Sequence, residues 1–425
     1  MERRANAALA ALSVATFTFV TVEVMPIGLL TLIADDLGRT RAEVGLLLTG
    51  YAAVVVLLSV PMAALTRKMP RRLLLGATLG VSAAATAVSA LAQNYATLLG
   101  ARLVVGLTQA LFWSIVASTA TAMFPPSQRG RTVARMSIGA SLAPVLGVPL
   151  GTWLGQQLGW RAAFWVMAVV GAATCAAVVA LLPAALPSGA TAARAVAPDR
   201  RRYLLLLLVT AVGITGAMAA QTYVTPFLLD VTHFAASSLG PLLLVSGAGG
   251  VVGTLVVARF LDRHPWPALA VPLALLCAMA VVLFTAGTVQ VLAVIALAVT
   301  GAAYAAFAAG VQSRVLQVAP GTTDMASAGS SAAFNIGISA GSFIGGVIIE
   351  DVNVRTVALA AAVLIAVALA ALLTDPLLPH PPLPDPLLPD PLLPDPPLPA
   401  AGPQAAAPEP PKAAAYPEKS GHPNV

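Results

Sequence analysis

From Ala8 to Thr374 the chain runs as long apolar stretches separated by short polar breaks. A helix needs about 20 consecutive apolar residues to cross the hydrocarbon core of a bilayer. Twelve stretches reach that length, at 8–33, 43–65, 72–92, 96–123, 132–156, 161–183, 203–228, 237–260, 267–287, 289–313, 326–349 and 354–374. The pattern predicts an all-α membrane protein with twelve transmembrane helices. The opening "MERRANAALAALSVATF" has the two arginines and apolar segment of a secretory signal, but its apolar part is too long for one. It reads as an uncleaved first helix.

Composition agrees with the pattern. The 425 residues are 58% hydrophobic and only 9% charged, against about a quarter charged in soluble domains, and the mean hydropathy is +0.88. Cys175 and Cys277 lie inside spans, so neither a disulfide framework nor a metal site is expected. His233, His264, His380 and His422 fall in loops or the tail, which leaves little for a catalytic triad. No cofactor is expected, and the chain reads as a monomer whose partners are lipid, protons and a small molecule.

A net charge of +6 could point to nucleic acid, but its distribution does not. With the N-terminus inside, the inner loops receive sixteen Lys and Arg, and the outer loops only Arg39, Arg41, Arg161 and Arg355. That asymmetry is the positive-inside rule. It places both termini in the cytoplasm and gives basic charge the task of orientation.

The spans repeat. "ALTRKMPRR" after the second and "ARFLDRHP" after the eighth align Arg67 with Arg263 at an offset of 196. Gly139, Ala143 and Gly147 match Gly337, Gly341 and Gly345 at 198, "GLTQA" matches "GAAYA" at 195, and Pro26 matches Pro226 at 200. The chain therefore reads as two parallel six-helix repeats, 1–183 and 203–374, joined by a basic linker at 184–202. Parallel halves of this kind hold their substrate near the bilayer midplane between them. The segment 375–425 repeats a "DPLLP"-like unit. Its prolines lack the donors that a lipid-exposed helix requires, so a solvated polyproline-II tail is expected, either plain extension or ligand for a proline-recognition domain.

One acid does not fit the apolar pattern. The other acids fall at span ends, in loops or in the tail, whereas Glu23 stands mid-span in "FTFVTVEVMPIGLLTLIA". A charge there costs about 2.5–3.5 kcal/mol on insertion scales, and such residues usually face a cavity and mark ion or proton pathways. Glu23 is either a proton carrier or a permanently neutral acid bonded to a neighbouring helix. A proton-coupled machine needs a membrane acid, which favours the first. In the fourth span Arg102, Gly106, Gln109 and Trp113 are spaced by four, three and four and share one helix face. They make a plausible cavity wall, unless Arg102 snorkels to the outer interface. In the fifth, Gly139, Ala143 and Gly147 form a small-xxx-small face for close helix packing, interrupted by Pro144 and Pro149. "SGAGGVVG" (Ser246–Gly253) imitates a dinucleotide fingerprint but lies mid-span with no preceding strand.

Together these residues resemble a twelve-span major facilitator exporter of the drug:proton antiporter branch, and within it the bacterial sugar (arabinose-type) efflux transporters. The likeness covers residues 8–374 and rests on "TVEVMPIGLL", "ALFWSIVAS", "VLGVPLGTWLGQQLGWR" and "FNIGISAGSFIGG". The antiporter motif G-x-x-x-G-P-x-x-G is matched by Gly139, Ala143, Pro144 and Gly147, and an Arg-x-x-x-Gly pattern tied to proton coupling by Arg102 and Gly106. The family's loop between spans two and three, Gly-x-x-x-Asp-Arg-x-Gly-Arg-Arg, is degenerate here. Arg67, Arg71 and Arg72 remain, but the acid and both glycines are missing, whereas the second copy keeps Asp262 and Arg263. A first-half gating latch that used the acid is weakened.

The resemblance implies proton antiport from the bacterial plasma membrane by alternating access, with Glu23 carrying the proton. Gln109, Trp113, Tyr223 and Asn335 are the expected cavity residues. Amides, a phenol and an indole suit a polyhydroxy substrate such as a sugar, and the same wall suits an amphiphilic drug. An enzyme would need clustered catalytic groups within the spans, where there is one acid and no histidine. A transporter-shaped sensor remains the reading from a different class.

Overall fold

A computed structural model of the chain describes residues 2–66, 69–125, 128–183, 199–261, 263–320 and 323–377. Arg67, Asp262, the linker from 184 to 198 and the tail from 378 lie outside the described residues. The first half contains α1 (Glu2–Leu37), α2 (Arg41–Thr66), α3 (Arg71–Leu91), α4 (Tyr95–Ala122), α5 (Arg129–Leu142), α6 (Val148–Leu158) and α7 (Trp160–Leu181). The second contains α8 (Arg200–Thr222), α9 (Val224–Asp230), α10 (Leu239–Ala258), α11 (Pro267–Ala286), α12 (Gln290–Val318), α13 (Thr323–Asp351) and α14 (Val354–Leu372). Twelve helices among the described residues are long and apolar enough to span a membrane, with α5 and α6 making one span. They reproduce the twelve apolar stretches of the sequence to within a few residues, α9 continuing the seventh.

Helix ends follow local chemistry. Asn94, Asp199 and Asn353 cap α4, α8 and α14, their side chains accepting from the backbone N–H of Thr97, Arg201 and Thr356 at 2.9, 3.0 and 2.9 Å. At 36 residues, α1 is roughly 54 Å long by helical rise and outruns the hydrocarbon core. Its first turn is held down by Arg4, which donates to the Leu181 and Ala180 carbonyls at the end of α7 at 3.2 and 2.9 Å, a favourable place for a cation. After α14, Asp375–Leu377 makes one 3₁₀ turn, and the Asp375 carboxylate lies 3.5 Å from Arg202 Nε.

The packing repeats as the sequence does. In the first half α1 packs on α5, α6 and α7, α2 on α4, and α3 on α4 and α7; in the second α8 packs on α13 and α14, α10 on α12, and α11 on α12 and α14. Two main seams join the halves, α2 against α13 and α10 against the α5–α6 span, and α1 also meets α9. The hydrogen bonds and ion pairs recorded across the seams lie mid-membrane and at the end away from the termini. Thr225 donates to the Ile27 carbonyl and Ser339 to that of Thr49, both at 3.1 Å. At the far end Arg41 pairs with Asp230, and Thr40 bonds Glu350.

The fifth span shows why its sequence mixes small residues with proline. Pro144 and Pro149 cannot donate a backbone N–H, and the helix relaxes between them into a π-helical turn, Ala143–Gly147, in which the Val148 N–H reaches the Ala143 carbonyl. The Gly139–Ala143–Gly147 face presses on α1. A β-carbon at Gly139 would collide with the Ser13 carbonyl, and one at Gly147 with the Thr21 side chain. This face lies within the first half, and the opposite side, through the Pro144 carbonyl and Val145, meets Gly247 of α10 across the seam.

Tolerance to added bulk should follow the identity of the obstacle. At Gly151 a β-carbon would meet the Met25 side chain, its sulfur at 3.1 Å and its Cγ at 3.3 Å, in a residue that adapts readily. Gly151→Ala is expected to change the unfolding temperature of the purified protein little. Gly139→Ala, aimed at a backbone carbonyl, should cost about 1–3 kcal/mol and lower it clearly, as read by thermal unfolding in detergent.

Candidate functional site

The site begins with a proline. Pro26 stands inside α1, and because it has no N–H the carbonyl four residues earlier, at Val22, loses its helical donor. Arg102 of α4 supplies the replacement. Its Nη1 donates to the Val22 carbonyl at 2.6 Å and its Nη2 to the Glu23 carbonyl at 2.8 Å. The guanidinium also lies over the Tyr51 ring of α2, 4.7 Å from the centroid, a cation–π contact that gains strength out of water. Arg102 is completely buried; at contact distance its charge is met by backbone dipoles and a ring, and the Glu23 carboxylate adds attraction from further off.

This geometry decides between the alternatives left open for Arg102. It neither snorkels to an interface nor forms a cavity wall. The face it shares with Gly106 and Gln109 turns into the first half, because Arg102 must reach α1 and Gly106 must admit α2. Trp113 leaves that buried face. It is 37% exposed and packs edge-on to Phe112, whose ring stacks on Phe19 at 4.3 Å.

With its backbone pinned, Glu23 projects its carboxylate towards Gln109. Gln109 Nε2 donates to Glu23 Oε2 at 2.7 Å, and its own Oε1 accepts from the Tyr51 hydroxyl. The amide is thus oriented by one neighbour to serve another, and at 2% exposure it is support for Glu23 rather than open wall. Glu23 itself is half-buried. A fixed cation, a titratable acid and an oriented amide within one bonded group can take up a proton, release it, and hold the rest of the site still meanwhile.

The other expected residues sit elsewhere. Tyr223, at the junction of α8 and α9, is 1% exposed and donates to the Ser342 carbonyl at 2.9 Å. Its hydroxyl lies where β-carbons on Gly45 and Gly346 would stand, so it plugs the α2–α13 seam. Asn335 is 8% exposed; its Nδ2 donates to the Ser331 carbonyl at 3.0 Å, while its Oδ1 is without a partner. It lies one turn before Ser339 on the same seam. Arg71 and Arg72 open α3, and Arg263 is exposed beyond α10. Tyr51 was not among the expected residues. A lone tyrosine in the apolar run "LLLTGYAAVVVLL" was its signal, since a buried phenol usually finds a partner. A recess at the far end, lined by Arg41, Asp230, His233 and Arg355, surrounds the Arg41–Asp230 pair rather than Glu23.

The arrangement predicts an unusual response to Pro26→Ala. Removing proline from a helix normally stabilises it. Here the restored N–H would compete for the Val22 carbonyl and leave a buried guanidinium short of an acceptor. Thermal unfolding should show a loss of about 1–2 kcal/mol, and an unchanged or higher unfolding temperature would remove Pro26 from this role.

Comparison with known proteins places the fold. A family model described as Major Facilitator Superfamily matches residues 12–324. Among similar solved structures is a bacterial homologue of the human lysosomal transporter Spinster, inward-facing and unoccupied, with TM-score 0.68 and 17% identity over 88% of this chain and 97% of that one. The human organic anion transporter MFSD10 (TETRAN) gives TM-score 0.65 and 16% identity over 87% and 99%. The nucleoside transporter NupG gives 0.67 and 12% over 86% and 99%. At these identities the likeness is one of fold.

Proposed function

The chain belongs to the Major Facilitator Superfamily, and from that premise we propose that it exports a small molecule by proton antiport, with Glu23 as the proton carrier. The observation that carries the reading is the half-buried Glu23 carboxylate, held mid-span by the Gln109 amide beside a buried Arg102. The charge asymmetry of the loops supports a bacterial plasma-membrane protein with both termini cytoplasmic. In that orientation the seam bonds close the outer end, and the site is loaded from the cytoplasm. Rocking of the halves then exposes it alternately to each side.

The substrate class we propose is a sugar or related polyhydroxy compound, supported by the sequence resemblance. A second reading, multidrug efflux, is favoured by the exposed Trp113 indole, which offers an apolar ligand a flat surface.

Everted vesicles carrying an acid-inside gradient separate these readings. Proton movement on adding L-arabinose supports sugar export, movement on adding ethidium supports drug export, and movement with neither across a wider substrate screen fits a sensor. Glu23→Gln is expected to reach the membrane but to abolish the substrate-dependent proton signal. Glu23→Asp, one methylene short, should keep part of it. Full coupling in the Gln variant would take Glu23 out of the mechanism.

A further inference from the structure

Tyr223 occupies in the second half the place that Glu23 holds in the first. Pro26 and Pro226 match at an offset of 200, and each stands three residues after the side chain in question. The two prolines have different consequences. The helix α1 runs on through Pro26, where Arg102 donates to the carbonyl that the proline leaves free. At the offset of 195 the counterpart of Arg102 is Leu297, whose side chain has no donor. Here the helix stops at Thr222 and resumes at Val224, with Tyr223 on the break.

The broken turn is tied to its own half. The Tyr223 hydroxyl donates to the Ser342 carbonyl of α13 at 2.9 Å, and Thr222 Oγ1 lies 2.9 Å from Ser342 Oγ. Both bonds stay within the second half, so Tyr223 and α13 are held as one body. Across the seam the same hydroxyl faces Gly45 of α2, where an added β-carbon would overlap its oxygen. On α13, a β-carbon at Gly346 would stand 2.7 Å from that oxygen. The hydroxyl is thus seated in a notch of two glycines, one on each half.

We propose that this notch is the bolt of the outer gate: the Tyr223 hydroxyl, carried by the second half, enters the gap at Gly45 when the outer end closes and leaves it when the halves part. The proposal rests on the alternating-access part of the function proposed above and not on Glu23. Because the hydroxyl donates within its own half, withdrawing it strands no donor. What meets Gly45 is shape alone. Packed interfaces hold two discrete arrangements rather than a continuum, so the fit at Gly45 sets the balance between closed and open. The Arg41–Asp230 pair further out is 37% and 41% exposed, and exposed pairs contribute little. The buried fit is the stricter condition for closure.

The test needs neither substrate nor proton gradient. Spin labels on Asp35→Cys and Val352→Cys, both exposed at the outer end on opposite halves, report the separation of the halves in lipid nanodiscs, with Cys175→Ser and Cys277→Ser to remove native thiols. Gly45→Ala should lower the closed-to-open ratio roughly tenfold, and Gly346→Ala, with the looser clash, should lower it less. Tyr223→Leu removes both hydroxyl and ring, and in that background the two alanines should lose most of their effect. Thermal unfolding identifies the variants that fold, and Gly346→Ala carries the test if Gly45→Ala does not. Two populations whose ratio neither alanine alters, or that both alter equally in Tyr223→Leu, would overturn the notch and leave alternating access standing. One fixed distance in every variant would overturn both.

Discussion

The structure depends on a buried guanidinium whose two terminal nitrogens are met by the carbonyls of a broken helix. Removing a cation from water costs several kcal/mol unless it finds partners, and the partners of Arg102 exist because Pro26 frees the Val22 carbonyl. The bond fixes α4 to α1 at one height, and the Tyr51 ring brings α2 to the same point. Three helices of the first half are thereby registered about one side chain. The carboxyl of Glu23 is carried on the residue next to that anchor, so its position is a consequence of the anchor.

Packing around α1 enforces the same register from the other side. Small residues along the α5–α6 span let it lie against α1, while the prolines of that span loosen its backbone into the π-helical turn that faces α10. One span thus serves two close contacts. Towards α1, β-carbons at Gly139 and Gly147 would meet the Ser13 carbonyl and the Thr21 side chain; towards α10, a β-carbon at Gly247 would meet the Pro144 carbonyl and the Val145 Cα. The first contact lies within one half and the second joins the two.

Much of this was legible in the sequence. Hydropathy located every span because a bilayer imposes length and apolarity on each helix separately, and Glu23 was visible as the acid that broke the pattern. What hydropathy could not show was direction around each helix. The stripe of Arg102, Gly106, Gln109 and Trp113 was read as one face, but Trp113 is exposed while the other residues turn into the first half, an orientation that depends on Pro26, on another helix. Tyr223 was placed by polarity alone, and polarity does not distinguish a cavity from a seam that closes over a hydroxyl. The degenerate loop at Arg67 and the tail beyond 378 fall outside the described residues.

The central claim is that one bilayer-shielded carboxyl, Glu23, takes up and releases the proton. Infrared difference spectra of the purified protein, recorded between acid and alkaline pH, observe such a group through the carbonyl stretch that a carboxyl has only when protonated. The account predicts a band from a water-poor carboxyl that appears on acidification, shifts with carboxyl-selective isotope labelling of glutamate, and is missing in Glu23→Gln. A spectrum without that band, or one in which it survives the substitution, would contradict it.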